Sequence, residues 1–189
     1  MRLPASLFGL GLVLGAVGAL WTARHLGGGT VFIDQPREDG KATTQAFFSP
    51  KGGCTEAIVE AIGTASTEVL VQAFSFTSDP IRQALIAAKR RGVEVRVILD
   101  RQASEEPHSE VKNLLKGGVL VWLDGEHPIA HNKIIIIDRR TVVTGSFNFT
   151  RQAETGNAEN VLVIHSMDLA VRYADNWDLH LNHSDRAKR

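Results

Sequence analysis

Residues 131–148 read HNKIIIIDRRTVVTGSFN. Two β-rich runs, Lys133–Ile137 and Thr141–Thr144, flank Asp138-Arg139-Arg140. This spacing predicts a hairpin. Residues two apart on a strand share a face, so His131 and Lys133 form one pair and Ser146 and Asn148 another. A turn centred between Arg139 and Arg140 sets His131 opposite Asn148 and Lys133 opposite Ser146, with directly opposed Cβ atoms about 5 Å apart. A three-residue loop would slip that register by one. The four side chains supply an imidazole, an ammonium, a hydroxyl and a carboxamide. Lys133, Ser146 and Asn148 suit a tetrahedral anion such as a phosphodiester. His131 can attack phosphorus or carry a proton near neutral pH.

Outward from this stretch, strand and helix patterns alternate. Ala46–Ser49 and Glu68–Phe76 read as strands, and 53–65 reads as a helix with Ala57, Ile58, Ala61 and Ile62 on one face. A second helix starts at Ser78 or Asp79 with Pro80 in its first turn and ends in Lys89-Arg90-Arg91 before Gly92. Val93–Leu99 is a strand, Glu110–Lys116 a short helix, and Val119–Leu123 and Asn160–Ile164 further strands. Met167–Leu181 is an amphipathic closing helix. The predicted fold is α/β, a mixed β-sheet flanked by helices on both faces.

The chain has 189 residues, 43% hydrophobic and 22% charged, with 21 basic and 21 acidic residues. That composition excludes general disorder and any uniformly basic nucleic-acid coat, so a polyanion site must be local. Arg139, Arg140 and Arg151 flank the motif as candidates for steering a polyanion. The single cysteine, Cys54, excludes an intrachain disulfide framework and Cys-cluster zinc modules, and reads as an inert buried thiol. No Gly-rich loop opens a helix for nucleotide phosphates. His127 and His131 are four apart, but Pro128 argues against a helix presenting both. His180 and His183 read as surface residues. The expectation is therefore a reaction with no metal and no cofactor.

Three segments are expected. Residues 1–23 carry Arg2 and an uncharged apolar run over 3–21. They read either as a signal peptide cleaved near Gly18 or Ala19 or as a retained membrane anchor, placing the protein outside the cytoplasm and offering membrane association through residues 3–21. Residues 24–43, with Gly27-Gly28-Gly29 and Pro36, read as a linker. Residues 44–189 form the domain.

The pattern H-x-K-x4-D-x6-G-S-x-N, filled by His131, Lys133, Asp138, Gly145, Ser146 and Asn148, resembles the phospholipase D superfamily signature. The run GSFNFTRQAETGNAENVLVI, residues 145–164, is similar to that of the bacterial single-motif endonucleases of the superfamily. The resemblance implies a phospholipase D-like domain over 44–189. It also implies that His131 attacks phosphorus to give a phosphohistidine, while Lys133, Ser146 and Asn148 hold the phosphate oxygens. Asp138, counted with the catalytic set, gives structural or electrostatic support. Glu159 hydrogen-bonds the histidine and fixes its tautomer, and no metal takes part.

Displacement in two steps needs a nucleophile and a general acid. One motif supplies one histidine, so a homodimer sharing a composite site on its two-fold axis is expected. Its pH profile should be a bell, one imidazole neutral and one protonated. DNA is the expected substrate, with RNA open to the same phosphate chemistry. A phospholipase D reaction on a lipid such as cardiolipin and a nucleic-acid binder with a vestigial site are the alternatives.

Overall fold

Near-continuous apolar runs dictate strands buried on both faces. In β7, Lys133–Ile137, every residue is buried. In β4, Glu68–Ala73, all but the first are. The computed structural model describes residues 42–188, together with the backbone of 21–26 and 29–34. The ten strands lie in the order β1-β2-β3-β9-β8-β7-β4-β5-β6-β10. Here β1 is Trp21–Leu26, β2 Gly29–Asp34, β3 Thr43–Phe48, β5 Glu94–Asp100, β6 Leu120–Asp124, β8 Thr141–Gly145, β9 Asn160–His165 and β10 Asp185–Arg186. Strands β4, β5 and β6 run parallel, and the remaining neighbours pair antiparallel, which makes the sheet mixed as expected.

Both faces are covered. On one, α1 (Cys54–Gly63), α2 (Asp79–Arg90) and α4 (Val111–Lys116) pack over alternate residues such as Val71, Val97, Ile135 and Val143. On the other, α6 (Met167–His183) lays Ala170, Ala174 and Trp177, spaced i, i+4 and i+7, onto Leu70, Ile98, Ile134, Ile136 and Val142. The Trp177 indole N–H is satisfied by the Val71 carbonyl at 2.9 Å. Two single-turn helices, α3 (Arg101–Ser104) and α5 (Arg151–Thr155), start from side-chain caps by Asp100 and Thr150.

The predicted elements from β3 to α6 are present, with ends differing by up to three residues. Two readings are corrected. Residues 24–43 do not form an uninterrupted linker: β1 and β2 make an antiparallel hairpin that extends the sheet through Phe32↔Ala46 and Ile33↔Gln45. The β-branched and aromatic run Thr30-Val31-Phe32-Ile33 has the composition of a strand, and β3 offers it a free edge. The apolar run over 3–20 lies outside the described residues.

The β7–β8 register is the second correction. Ile134 pairs with Thr144 and Ile137 with Thr141, one residue off the expected pairing. Three residues form the turn, and Asp138 and Arg139 both adopt left-handed φ values, 51° and 50°. Arg140 N–H closes the turn on the Ile137 carbonyl at 2.9 Å. The slip lines Lys133 up with Gly145 as the next position, so Lys133 is not opposite Ser146 and His131 is not opposite Asn148.

Candidate active site

One rim of the sheet collects the C-terminal ends of β4, β5, β6 and β8 and the N-terminal ends of β7 and β9. Every predicted site residue except Asp138 stands on this rim. Substrates of open α/β sheets bind outside the carboxyl ends of the parallel strands, here β4 to β6.

Residues 125–132 cross the rim from β6 back to β7, and successive strand ends hold the crossing. At β6, the Asp124 carboxylate meets the His127 ring at 3.2 Å. At β5, the Asp100 carboxylate accepts the Ala130 N–H at 2.8 Å. At β4, Phe74 N–H donates to the Asn132 carbonyl at 3.0 Å. His131 emerges exposed, with its ring beside that of Phe74 at 5.0 Å between centroids. Its imidazole makes no hydrogen bond among the described residues.

Lys133 begins β7, paired with Ala73, and only 7% of its surface is exposed. Its ammonium donates to the His131 carbonyl at 2.8 Å and lies 5.4 Å from the Phe74 ring centre. Burial pulls its pKa below the ordinary lysine value, and the nearby Glu159 charge partly counters this. Lys133 is thus a positive charge held in place with few protein partners.

Beyond Gly145 the chain of β8 turns across the start of β9. A Cβ at Gly145 would lie 2.1 Å from the Asn160 carbonyl oxygen, so only glycine fits there. Ser146 then meets β9. Its hydroxyl donates to Glu159 Oε2 at 2.6 Å and accepts from the Asn160 backbone N–H at 3.1 Å. The other Glu159 oxygen takes the Asn157 amide at 3.0 Å. The expected Glu159–His131 hydrogen bond is absent among the described residues. Both carboxylate oxygens are engaged by Ser146 and Asn157, and β8 separates β9 from β7. The Asn148 amide oxygen is buried with no hydrogen-bond partner among the described residues.

Asp138 is at the other end of β7, about 16 Å along the strand from Lys133. It accepts the N–H groups of Ser66, Thr67 and Glu68 and the Thr67 hydroxyl, all at 2.8–2.9 Å. Its place in the catalytic set is therefore corrected: in this chain it ties the β7–β8 turn to the start of β4. Arg139 shares that far rim and pairs with Glu68 at 2.8 Å, so it does not face the site. Arg140 is exposed at the same end, whereas Arg151 is exposed at the start of α5.

The family model described as "Cardiolipin synthase, PLD-like domain" matches residues 58–179, most of the described chain. The chain belongs to the phospholipase D-like family. A protein named phospholipase D from Rickettsia felis is 44% identical over 137 residues, covering 72% of this chain and 68% of that one. A mitochondrial cardiolipin hydrolase from Chlamydomonas reinhardtii is 32% identical over 117 residues, covering 62% and 52%. Among solved structures, the phospholipase D family member Nuc from Salmonella typhimurium superposes with a TM-score of 0.76 at 36% identity, over 79% of this chain and all of Nuc. The chain is a phospholipase D-superfamily phosphodiester hydrolase.

Sequence reasoning missed one group of side chains. Asp124 and His127 meet His180 and His183 from the last turns of α6, with one ligand atom from each lying within 4.8 Å of all the others. The i, i+3 spacing of His180 and His183 on one helix was the available signal. Their neighbours at 124 and 127 are more than fifty residues away, and only the fold brings them close.

Proposed function

We propose that the protein is an endonuclease with little sequence preference, which hydrolyses DNA, and RNA by the same chemistry, through a phosphohistidine at His131. The observation that carries this reading is an exposed, unrestrained imidazole two residues from a buried lysine, with Ser146, Asn148 and Glu159 on the same sheet rim. The His131 ring nitrogen attacks phosphorus, the N–P bond forms and the bond to the leaving oxygen breaks. Lys133, Ser146 and Asn148 hold the non-bridging oxygens, compensating the charge that builds there. A second imidazole gives its proton to the leaving oxygen. Water then attacks phosphorus, loses a proton to that now neutral imidazole, and breaks the N–P bond.

The second imidazole is His131 of a second copy, placed by a two-fold axis through this rim. A large apolar side chain on the rim supports a face of this kind: Ile129 is 58% exposed. The similarity of residues 145–164 to the single-motif endonucleases favours nucleic acid. The names of the Rickettsia and Chlamydomonas relatives favour a lipid phosphodiester, and the apolar stretch 3–21 offers a means of reaching one.

The full chain, kept in detergent, is incubated with supercoiled plasmid in EDTA and, separately, with cardiolipin vesicles. Nicking by the native chain and not by His131→Ala supports the nuclease. Headgroup release without nicking supports the lipase. A dimer that separates into fully active monomers in analytical ultracentrifugation contradicts the composite site.

A further inference from the structure

We propose that Asp124, His127, His180 and His183 form a structural site for one zinc ion, which fastens the crossing loop 125–132 to the end of α6. The ligand set is complete for a four-coordinate ion. Three imidazoles and one carboxylate suit zinc, whereas magnesium and calcium take oxygen donors almost exclusively.

The geometry fits. The Asp124 side chain is fully buried at the end of β6, and the ring nitrogens approach its Oδ2 at 3.2 Å for His127 Nδ1, 3.0 Å for His180 Nδ1 and 3.3 Å for His183 Nε2. Ligands about 2.0–2.1 Å from a tetrahedral metal are about 3.3–3.4 Å from one another, so these three contacts match three of the six edges of such a site, and the ring nitrogens lie within 4.8 Å of one another. The three rings also stand in a nearly equilateral triangle, with centroids 5.0, 5.2 and 5.2 Å apart. No lysine or arginine bonds Asp124 among the described residues. Ligation requires each imidazole to carry its proton on the nitrogen facing away: Nε2 in His127 and His180, Nδ1 in His183.

Four protein ligands leave no position for substrate, which marks a structural rather than a catalytic ion. The site is also set apart from the chemistry. Asp124 ends β6, three strand spacings or about 14 Å across the sheet from Lys133. What the ion secures is the first anchor of the loop that carries His131. Asp100 and Phe74 hold its later positions.

The test uses the full chain without a polyhistidine tag, stripped with a chelator and dialysed against Zn2+. The proposal predicts one zinc per chain by elemental analysis, and for Co2+ the visible absorption of a tetrahedral ion. Zinc at 100 times its Kd should raise Tm by about 5–10 °C. His127→Ala and His183→Ala, both at exposed residues, should leave the metal-free Tm nearly unchanged and weaken zinc binding at least about 100-fold. Zinc that fails to bind, that binds equally well to both variants, or that leaves Tm unmoved would overturn the proposal. So would an octahedral Co2+ spectrum. None of these readouts depends on the reaction at His131.

Discussion

The Ser146 hydroxyl donates to the Glu159 carboxylate across a 2.6 Å gap, joining the end of β8 to the residue before β9. Without substrate the carboxylate fixes the direction of the hydroxyl, whose lone pairs face the Asn160 N–H groups, and on substrate binding the O–H turns from Glu159 to a phosphate oxygen. The pair acts as a unit. Ser146→Ala and Glu159→Gln should each lower kcat about 100-fold. The double variant should be little worse than the poorer single one. Steady-state kinetics on plasmid nicking check this, and simple additivity of the two losses would contradict it.

Lys133 owes its lowered pKa first to burial, partly countered by Glu159. It loses its charge at a lower pH than an exposed lysine. The alkaline limb of the activity bell belongs to the protonated imidazole, so the Lys133 charge is read apart from activity, by the pH dependence of its Nζ resonance in 15N-lysine NMR spectra, whose midpoint should lie below the ordinary lysine range. Lys133→Met should be inactive across that range. A midpoint at the pH of a free lysine would show that the ammonium is solvated.

Partial burial would raise the Asp138 carboxyl. The N–H groups of Glu68, Thr67 and Ser66 and the Thr67 hydroxyl outweigh it and hold the group below the usual carboxylate range. A folded pKa below the unfolded value adds stability that is present above the unfolded pKa, about 3.9, and lost as pH falls through the folded one. Asp138→Ala should cost about 1–2 kcal/mol at pH 7, or about 2–8 °C in Tm, after allowance for solvent exposure. The gap from the native chain should close in acid. Thermal melts at pH 7 and pH 2.5 check both the size and the sign.

Cys54 is fully buried. Burial, with the charges of Glu154, Glu56 and Glu159, pushes its thiol up to about 12. Iodoacetamide at pH 8 should leave the folded chain unmodified and alkylate it fully in guanidinium. Rapid labelling of the native chain would contradict the packing of α1.

The sheet was legible because burial on both faces leaves an unmistakable apolar run, as in Ile134–Ile137. The amphipathic pattern of residues 167–181 likewise announced α6. The one-residue slip of β7 against β8 was not legible. It depends on Asp138 and Arg139 entering the left-handed region, and Asp138 is held there by N–H groups seventy residues away. His131, Lys133, Ser146 and Asn148 could be named from their pattern, since they lie on adjoining strands. The partners of Glu159 and the gathering of His127 with His180 depend on which strand ends share a rim, a property of the whole sheet.

The central claim is a covalent bond between His131 and phosphorus. Native chain mixed with an excess of oligonucleotide, quenched in alkali within one turnover and digested, is read by mass spectrometry. The account predicts a phosphonucleotide on the peptide carrying His131, formed before product and absent from His131→Ala. Product released with that peptide unmodified, or an adduct on another side chain, would contradict it.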